Sequence, residues 1–128
     1  STAPADAWLA AIPVGLLVTA ILVANNIRDI ETDERSAKMT LAVVLGRSRT
    51  RRLYGLLILG AFAWLALFAG IGWMPRPTLL GLAALPLAIP PIRIVATQTA
   101  GPALIGALKG NARLHFLVGA LVALGAAL

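Results

Sequence analysis

The chain has 128 residues, 59% of them hydrophobic, and a formal net charge of +6, with a mean hydropathy of +0.89. That apolar share exceeds what a soluble domain carries, so the chain is expected in a lipid bilayer, and its basic residues lack the interleaved aromatics of a nucleic-acid surface. Cysteine is absent and histidine occurs once, which excludes disulfides and thiolate metal sites and leaves oxygen as the donor for any bound metal.

A hydrocarbon core of about 30 Å takes roughly 20 helical residues. Four spans are predicted, at 8–24, 53–74, 78–96 and 103–128, in a single all-α membrane domain over 1–128. The first begins without a basic n-region or cleavage site and is read as a span rather than a signal peptide. A kink is expected at Pro13 within it, tolerated in a transmembrane helix where neighbours re-satisfy the freed carbonyl, and Trp8 at its end suits an interfacial anchor.

In the second span, Trp64 is expected in the core or facing lipid, Trp73 at the interface, and Gly55, Gly60, Gly70 and Gly72 are expected to permit close helix contacts. Kinks are expected in the third at Pro86, Pro90 and Pro91. In the fourth, Pro102 suits a helix start. Lys109 and Arg113 share a face at headgroup level, and His115, one turn further, is expected to pack or to hydrogen bond between helices.

Seven of the eleven basic residues lie in the connection 25–52, whereas the turn between the second and third spans holds only Arg76. Connection 25–52 is therefore expected on the cytoplasmic side of an inner or plasma membrane crossed several times. Within it, Arg47, Arg49, Arg51 and Arg52 read as a belt against anionic headgroups.

The same connection holds four of the five acids, between Asp29 and Glu34. If the first helix continues past Ala24, then Asn25, Asp29 and Asp33 recur every four residues and fall within an arc of about 80°. Glu31 and Glu34 stand four before Arg35 and Lys38, the favourable order for helical ion pairs. Asp29 and Asp33 have no such partner. Two carboxylates one turn apart near lipid call for a cation between them, and magnesium, which takes one or two carboxylates and completes its shell with water and phosphate oxygens, fits that role. A solvated, self-paired turn remains the competing reading of the same residues.

The longer string NNIRDIETDERSAKMTLAVVLG, Asn25 to Gly46, resembles the second aspartate-rich motif of the UbiA superfamily of intramembrane prenyltransferases, in its menaquinone branch. The likeness rests on Asn25-Asn26-Ile27-Arg28-Asp29, then Asp33, Lys38, Thr40-Leu41-Ala42-Val43 and Leu45-Gly46. It implies an all-helical bundle of about nine spans in which three helices follow this motif, so that the chain is similar to the C-terminal part of such an enzyme. The partner motif expected upstream is not among these residues, and a segment lacking it should be inactive alone.

The resemblance further implies transfer of a polyprenyl group from polyprenyl diphosphate to 1,4-dihydroxy-2-naphthoate with loss of its carboxylate. Asp29 and Asp33, helped by the Asn25 oxygen, would hold Mg2+ on the diphosphate. Arg28, Lys38 and Asn26 would contact diphosphate oxygens, although Lys38 alternatively pairs only with Glu34. Other branches acting on 4-hydroxybenzoate, homogentisate or haem, and a non-enzymatic membrane module with a lipid-binding basic loop, are the alternatives. The hydropathy disfavours a soluble isoprenyl synthase.

Overall fold

The computed structural model describes residues 4–99 and 101–128. They form α1 (Pro4–Arg28), α2 (Ile30–Arg35), α3 (Leu41–Leu45), α4 (Arg47–Gly70), a 3-10 segment (Arg76–Ala88) running into α5 (Ile89–Thr97), and α6 (Gly101–Ala127). Among the described residues there is no strand. Four stretches are long and apolar enough to cross a membrane: Ala7–Arg28, Arg47–Gly70, Arg76–Thr97 and Gly101–Ala127.

The first two spans extend further into the 25–52 connection than their apolar runs suggest. α1 continues through Asn25 and Asn26 to Arg28, and α4 begins at Arg47 instead of Leu53. Helical backbone bonds are satisfied within the segment, so polar residues at the hydrocarbon edge carry the helix onward without cost to its ladder.

α4 ends in a Schellman motif: the Trp73 N–H reaches the Phe68 carbonyl at 2.9 Å and the Gly72 N–H the Ala69 carbonyl at 3.3 Å. Gly72, at φ +86°, supplies the left-handed residue this ending needs. The third span is 3-10 up to Ala88 and α-helical from Ile89. The change falls where Pro90 and Pro91 occupy the first turn of α5, positions whose missing N–H groups no intrahelical bond requires.

α1 packs against α4 and α6, while α6 also packs along the 3-10 segment and α5. The shared core is built from Leu17, Ala20, Ala24 and Ile27 of α1, Ile58, Ala61 and Leu65 of α4, and Leu104, Ala107, Leu114 and Val118 of α6. Alanines on these inward faces bring the helices together, the role small residues play where lipid offers no hydrophobic drive.

Gly55, Gly60, Gly70 and Gly72 do not serve that purpose here, since a Cβ at any of them meets nothing within 4 Å. Gly55 and Gly60 are half-buried and Gly70 and Gly72 exposed, none of them at a close helix crossing. Close approaches occur instead at Gly81, Gly110 and Gly125, the tightest at Gly125, where a Cβ would come within 2.3 Å of the Pro77 carbonyl oxygen.

Two polar devices secure the packing. The indole N–H of Trp64 donates to the Leu9 carbonyl at 2.9 Å, which is the acceptor that Pro13, lacking an N–H, leaves without its partner four residues on. Trp64 therefore has a specific task beyond filling the core. Deeper in the bundle, the Tyr54 hydroxyl donates to Asn111 Oδ1 at 2.7 Å and Asn111 Nδ2 donates to the Leu17 carbonyl at 3.2 Å. Tyr54 and Asn111 are both fully buried.

Trp8 and Trp73 are exposed, at 74% and 62%, at the end of the bundle opposite the 25–52 connection, and the rings of Trp73, Phe68 and Trp64 meet in sequence at tilted angles of 41° and 44°. At the other end, Arg51 Nη2 donates to the Gln98 carbonyl at 2.8 Å and ties α4 to the end of α5. His115 is half-buried on α6 beside Leu114.

Candidate functional site

The helical register passes through the acidic cluster. The Asp29 N–H bonds the Asn25 carbonyl at 3.1 Å and the Asp33 N–H bonds the Asp29 carbonyl at 2.8 Å, although Asp29 itself departs from helical geometry at φ −100° and ψ 13°. Asn25, Asp29 and Asp33 thus form one stripe, and all three are half-buried, as is Asn26 on the neighbouring face.

The stripe lies roughly 160° around the helix from the face bearing Leu17, Ala20, Ala24 and Ile27. It points away from the core these spans share. Above it on the same side, Val18 and Leu22 are 41% and 60% exposed, so this face is largely uncovered by the described residues.

Asp29 has a partner that the four-residue spacing did not show. Arg28 Nε donates to Asp29 Oδ1 at 2.9 Å and Arg28 Nη2 to Asp29 Oδ2 at 3.1 Å, a fork on both carboxylate oxygens. Adjacent residues on an ideal helix diverge by about 100°, and the irregular backbone at Asp29 is what lets them meet. The Arg28 hydrogen bonds hold the Asp29 carboxyl below its ordinary value against a smaller desolvation cost, with the charges of Arg28 and Lys38 acting in the same direction as the bonds. Asp29 is therefore anionic at neutral pH.

Glu31 pairs with Arg47 at the start of α4. Among the described residues neither the Glu31–Arg35 nor the Glu34–Lys38 pair closes, and the two salt bridges are Arg28–Asp29 and Glu31–Arg47. Glu31 is 58% exposed, so its pair fastens α2 to α4 with a contribution of about 0–1 kcal/mol.

α2 ends in the same motif as α4: the Lys38 N–H bonds the Asp33 carbonyl at 2.8 Å and the Ala37 N–H the Glu34 carbonyl at 3.1 Å. Here the left-handed position is Ala37, at φ 55°. The reversal brings Lys38 back beside Asp33 with its side chain exposed. The chain then re-enters helix under a Thr40 cap, whose Oγ1 accepts from the Val43 N–H at 3.4 Å. Gly46, at φ 84°, turns it into α4.

Among the described residues no group of three or more His, Cys, Asp or Glu side chains converges on a possible metal position. Two carboxylates and one amide oxygen are a partial donor set. It suits a hard divalent cation that draws its other ligands from water, phosphate or another segment.

Two further features escaped the linear reading. One is the Tyr54–Asn111–Leu17 chain of hydrogen bonds, for which a lone Asn within an apolar helix was the available signal. The other is a cleft beside Lys109 and Arg113, bounded by α5 and α6.

Together these features define a helical integral membrane protein with an oxygen-rich, cation-flanked stripe at one end of its bundle. The chain matches the UbiA prenyltransferase family over residues 1–104, and it belongs to that family. It is 42% identical over 117 residues to the 1,4-dihydroxy-2-naphthoate octaprenyltransferase of Mycobacterium tuberculosis, and 39% identical over 117 residues to that of Mycobacterium leprae. Each of these alignments covers 91% of the chain and 38% of the relative. A shorter match, 47% identical over 60 residues, is to the Escherichia coli enzyme of the same name, covering 47% of the chain and 20% of the relative. No solved structure matches at a significant level.

Proposed function

We propose that the full-length protein transfers a polyprenyl group from polyprenyl diphosphate to 1,4-dihydroxy-2-naphthoate, and that these residues supply one wall of its diphosphate site. The observation that carries the reading is the stripe Asn25–Asp29–Asp33 on a face that its own bundle leaves open, with Arg28 at its edge. The names of the mycobacterial relatives support the acceptor.

In the reaction the allylic carbon–oxygen bond breaks with its electron pair leaving on the diphosphate, and the ring carbon that loses carboxylate as carbon dioxide gains the prenyl group. Mg2+, when bound, supplies positive charge that stabilises the departing diphosphate. Asp29, Asp33 and the Asn25 side-chain oxygen would hold it.

Arg28, Lys38 and the Asn26 amide would bind and orient diphosphate oxygens. Arg28 favours the ionised form of Asp29 and has a fork suited equally to phosphate. The apolar face at Val18 and Leu22 continues from the stripe toward the bilayer centre, a surface along which a polyprenyl tail would lie by apolar burial.

The basic residues of 25–52, with Arg76 alone at the opposite turn, support a cytoplasmic position for the motif end in a plasma or inner membrane. The test is Asp29→Asn with Asp33→Asn in the full-length protein, assayed with magnesium, polyprenyl diphosphate and each aromatic acceptor. The reading requires loss of transfer by about a hundredfold or more, the scale of removing charge stabilisation at a reacting centre, with folding retained. Undiminished transfer would end it and return the loop to a headgroup-binding role. A product formed from 4-hydroxybenzoate or homogentisate in preference to the naphthoate would reassign the acceptor.

A further inference from the structure

The cleft bounded by α5 and α6 has a volume of about 360 Å³ and is lined by Pro90 and Pro91 on one side and Gly106, Lys109, Gly110 and Arg113 on the other. Its walls are apolar, because proline presents no N–H and glycine no side chain. At Gly110 the helices nearly touch, a Cβ there lying 2.9 Å from Pro91 Cγ, whereas at Gly106 the nearest atom to a Cβ would be Ile94 Cδ1 at 3.9 Å. The two helices are thus more tightly apposed at Gly110 than at Gly106, and both cations line the cleft.

It does not belong to the carboxylate stripe. Asn111 faces α1, since its amide bonds the Leu17 carbonyl. Lys109 and Arg113 stand two positions to either side, about 160° round the helix from that direction. The stripe leaves α1 on the side away from α6, and the two cations leave α6 on the side away from α1.

Among the described residues the two cations meet no anion. All five acids occur at Asp6 or between Asp29 and Glu34, none on α4, α5 or α6, and neither Lys109 nor Arg113 forms a salt bridge among the described residues. They lie about 12 and 18 Å along the axis from Gly101. Cations at that depth need a counter-charge or must reach back toward the membrane surface.

We infer that this cleft is a binding site for an anionic phospholipid of the leaflet at the motif end, whose headgroup phosphate is held by Lys109 and Arg113 and whose acyl chain lies along the Pro90/Pro91 and Gly106/Gly110 walls. The match is one of charge and shape together: a negative head joined to an apolar chain meets a cation pair joined to an apolar trough, the arrangement by which basic pockets between spans take up anionic lipid.

The experiment is native mass spectrometry of the full-length protein in detergent, titrated with dioleoylphosphatidylglycerol or dioleoylphosphatidylcholine. The wild type is expected to retain the anionic lipid preferentially. Lys109→Gln with Arg113→Gln should weaken that binding about thirtyfold, the effect of two cations near an anionic surface. Lys109→Arg with Arg113→Lys should retain it.

Gly106→Leu fills the trough without altering charge and should also weaken it, which keeps the inference testable if the neutral pair fails to fold. Binding of phosphatidylglycerol unchanged in either the neutral pair or Gly106→Leu overturns the inference. So does a rise in KM for polyprenyl diphosphate in the neutral pair with lipid binding intact, which would assign the cations to substrate.

Discussion

Tyr54 donates its hydroxyl to Asn111 across 2.7 Å, and the amide of Asn111 continues to the Leu17 carbonyl at 3.2 Å, so that one buried side chain joins α4, α6 and α1. Asn111→Leu leaves the Tyr54 hydroxyl buried without an acceptor and is expected to cost about 1–2 kcal/mol, within the range for interhelical hydrogen bonds in membranes and for unpaired buried groups. Adding Tyr54→Phe removes the orphan and should recover most of the loss. Thermal unfolding of the four species in detergent gives the coupling as a double-mutant cycle.

Trp64 and Pro13 form a second coupled pair, through the Leu9 carbonyl. Trp64→Phe keeps the ring but withdraws the donor, and about 1 kcal/mol of stability should go with it. In a Pro13→Ala background, residue 13 regains an N–H that can bond Leu9 itself, so Trp64→Phe should there be close to neutral. The same unfolding measurement decides it: an equal penalty in both backgrounds would show that the indole contributes by packing alone.

Ala37 holds a left-handed conformation that Gly72 holds in the same motif elsewhere in the chain. Ala37→Gly should therefore stabilise the motif turn by up to about 1 kcal/mol, the cost of placing a Cβ in that region. Increased protection of the Ala37 and Lys38 amides in hydrogen exchange is the expected sign, with no change in the protection of α6.

The Arg28–Asp29 fork has a pH signature. The folded carboxyl titrates below its ordinary value of 3.8, so the pair's contribution is fully present above that value and is lost as pH falls through the lower folded pKa. Arg28→Gln removes the largest cause of the depression and should move the Asp29 titration upward toward the ordinary carboxylate range. A carboxyl-carbon NMR titration of selectively labelled protein reads this directly, and a midpoint unchanged by the substitution would show that the fork is not what holds it down.

Span number was legible because apolar runs of membrane length leave few alternatives, and the stripe was legible because a four-residue spacing has one meaning on a helix. Span ends were not. Arg28 and Arg47 are helical although charged, since backbone pairing ignores side-chain polarity.

The Arg28–Asp29 pair was invisible for a different reason: it depends on one irregular residue, not on periodicity. Tyr54 and Asn111 are 57 residues apart, and their meeting is decided by which helices become neighbours. The prolines of the third span announced a disturbance but not its form, an entire 3-10 half followed by an α half.

The opposed faces of α1 divide labour along a single rod. Its hydrogen-bonded fastenings to the rest of the molecule, at Leu9 and Leu17, spring from backbone carbonyls, while the ligands proposed for metal and diphosphate hang from side chains on the opposite flank. Substitutions on that flank should accordingly leave the Trp64–Leu9 and Asn111–Leu17 bonds in place, so that a loss of turnover can be told apart from a loss of those interhelical ties.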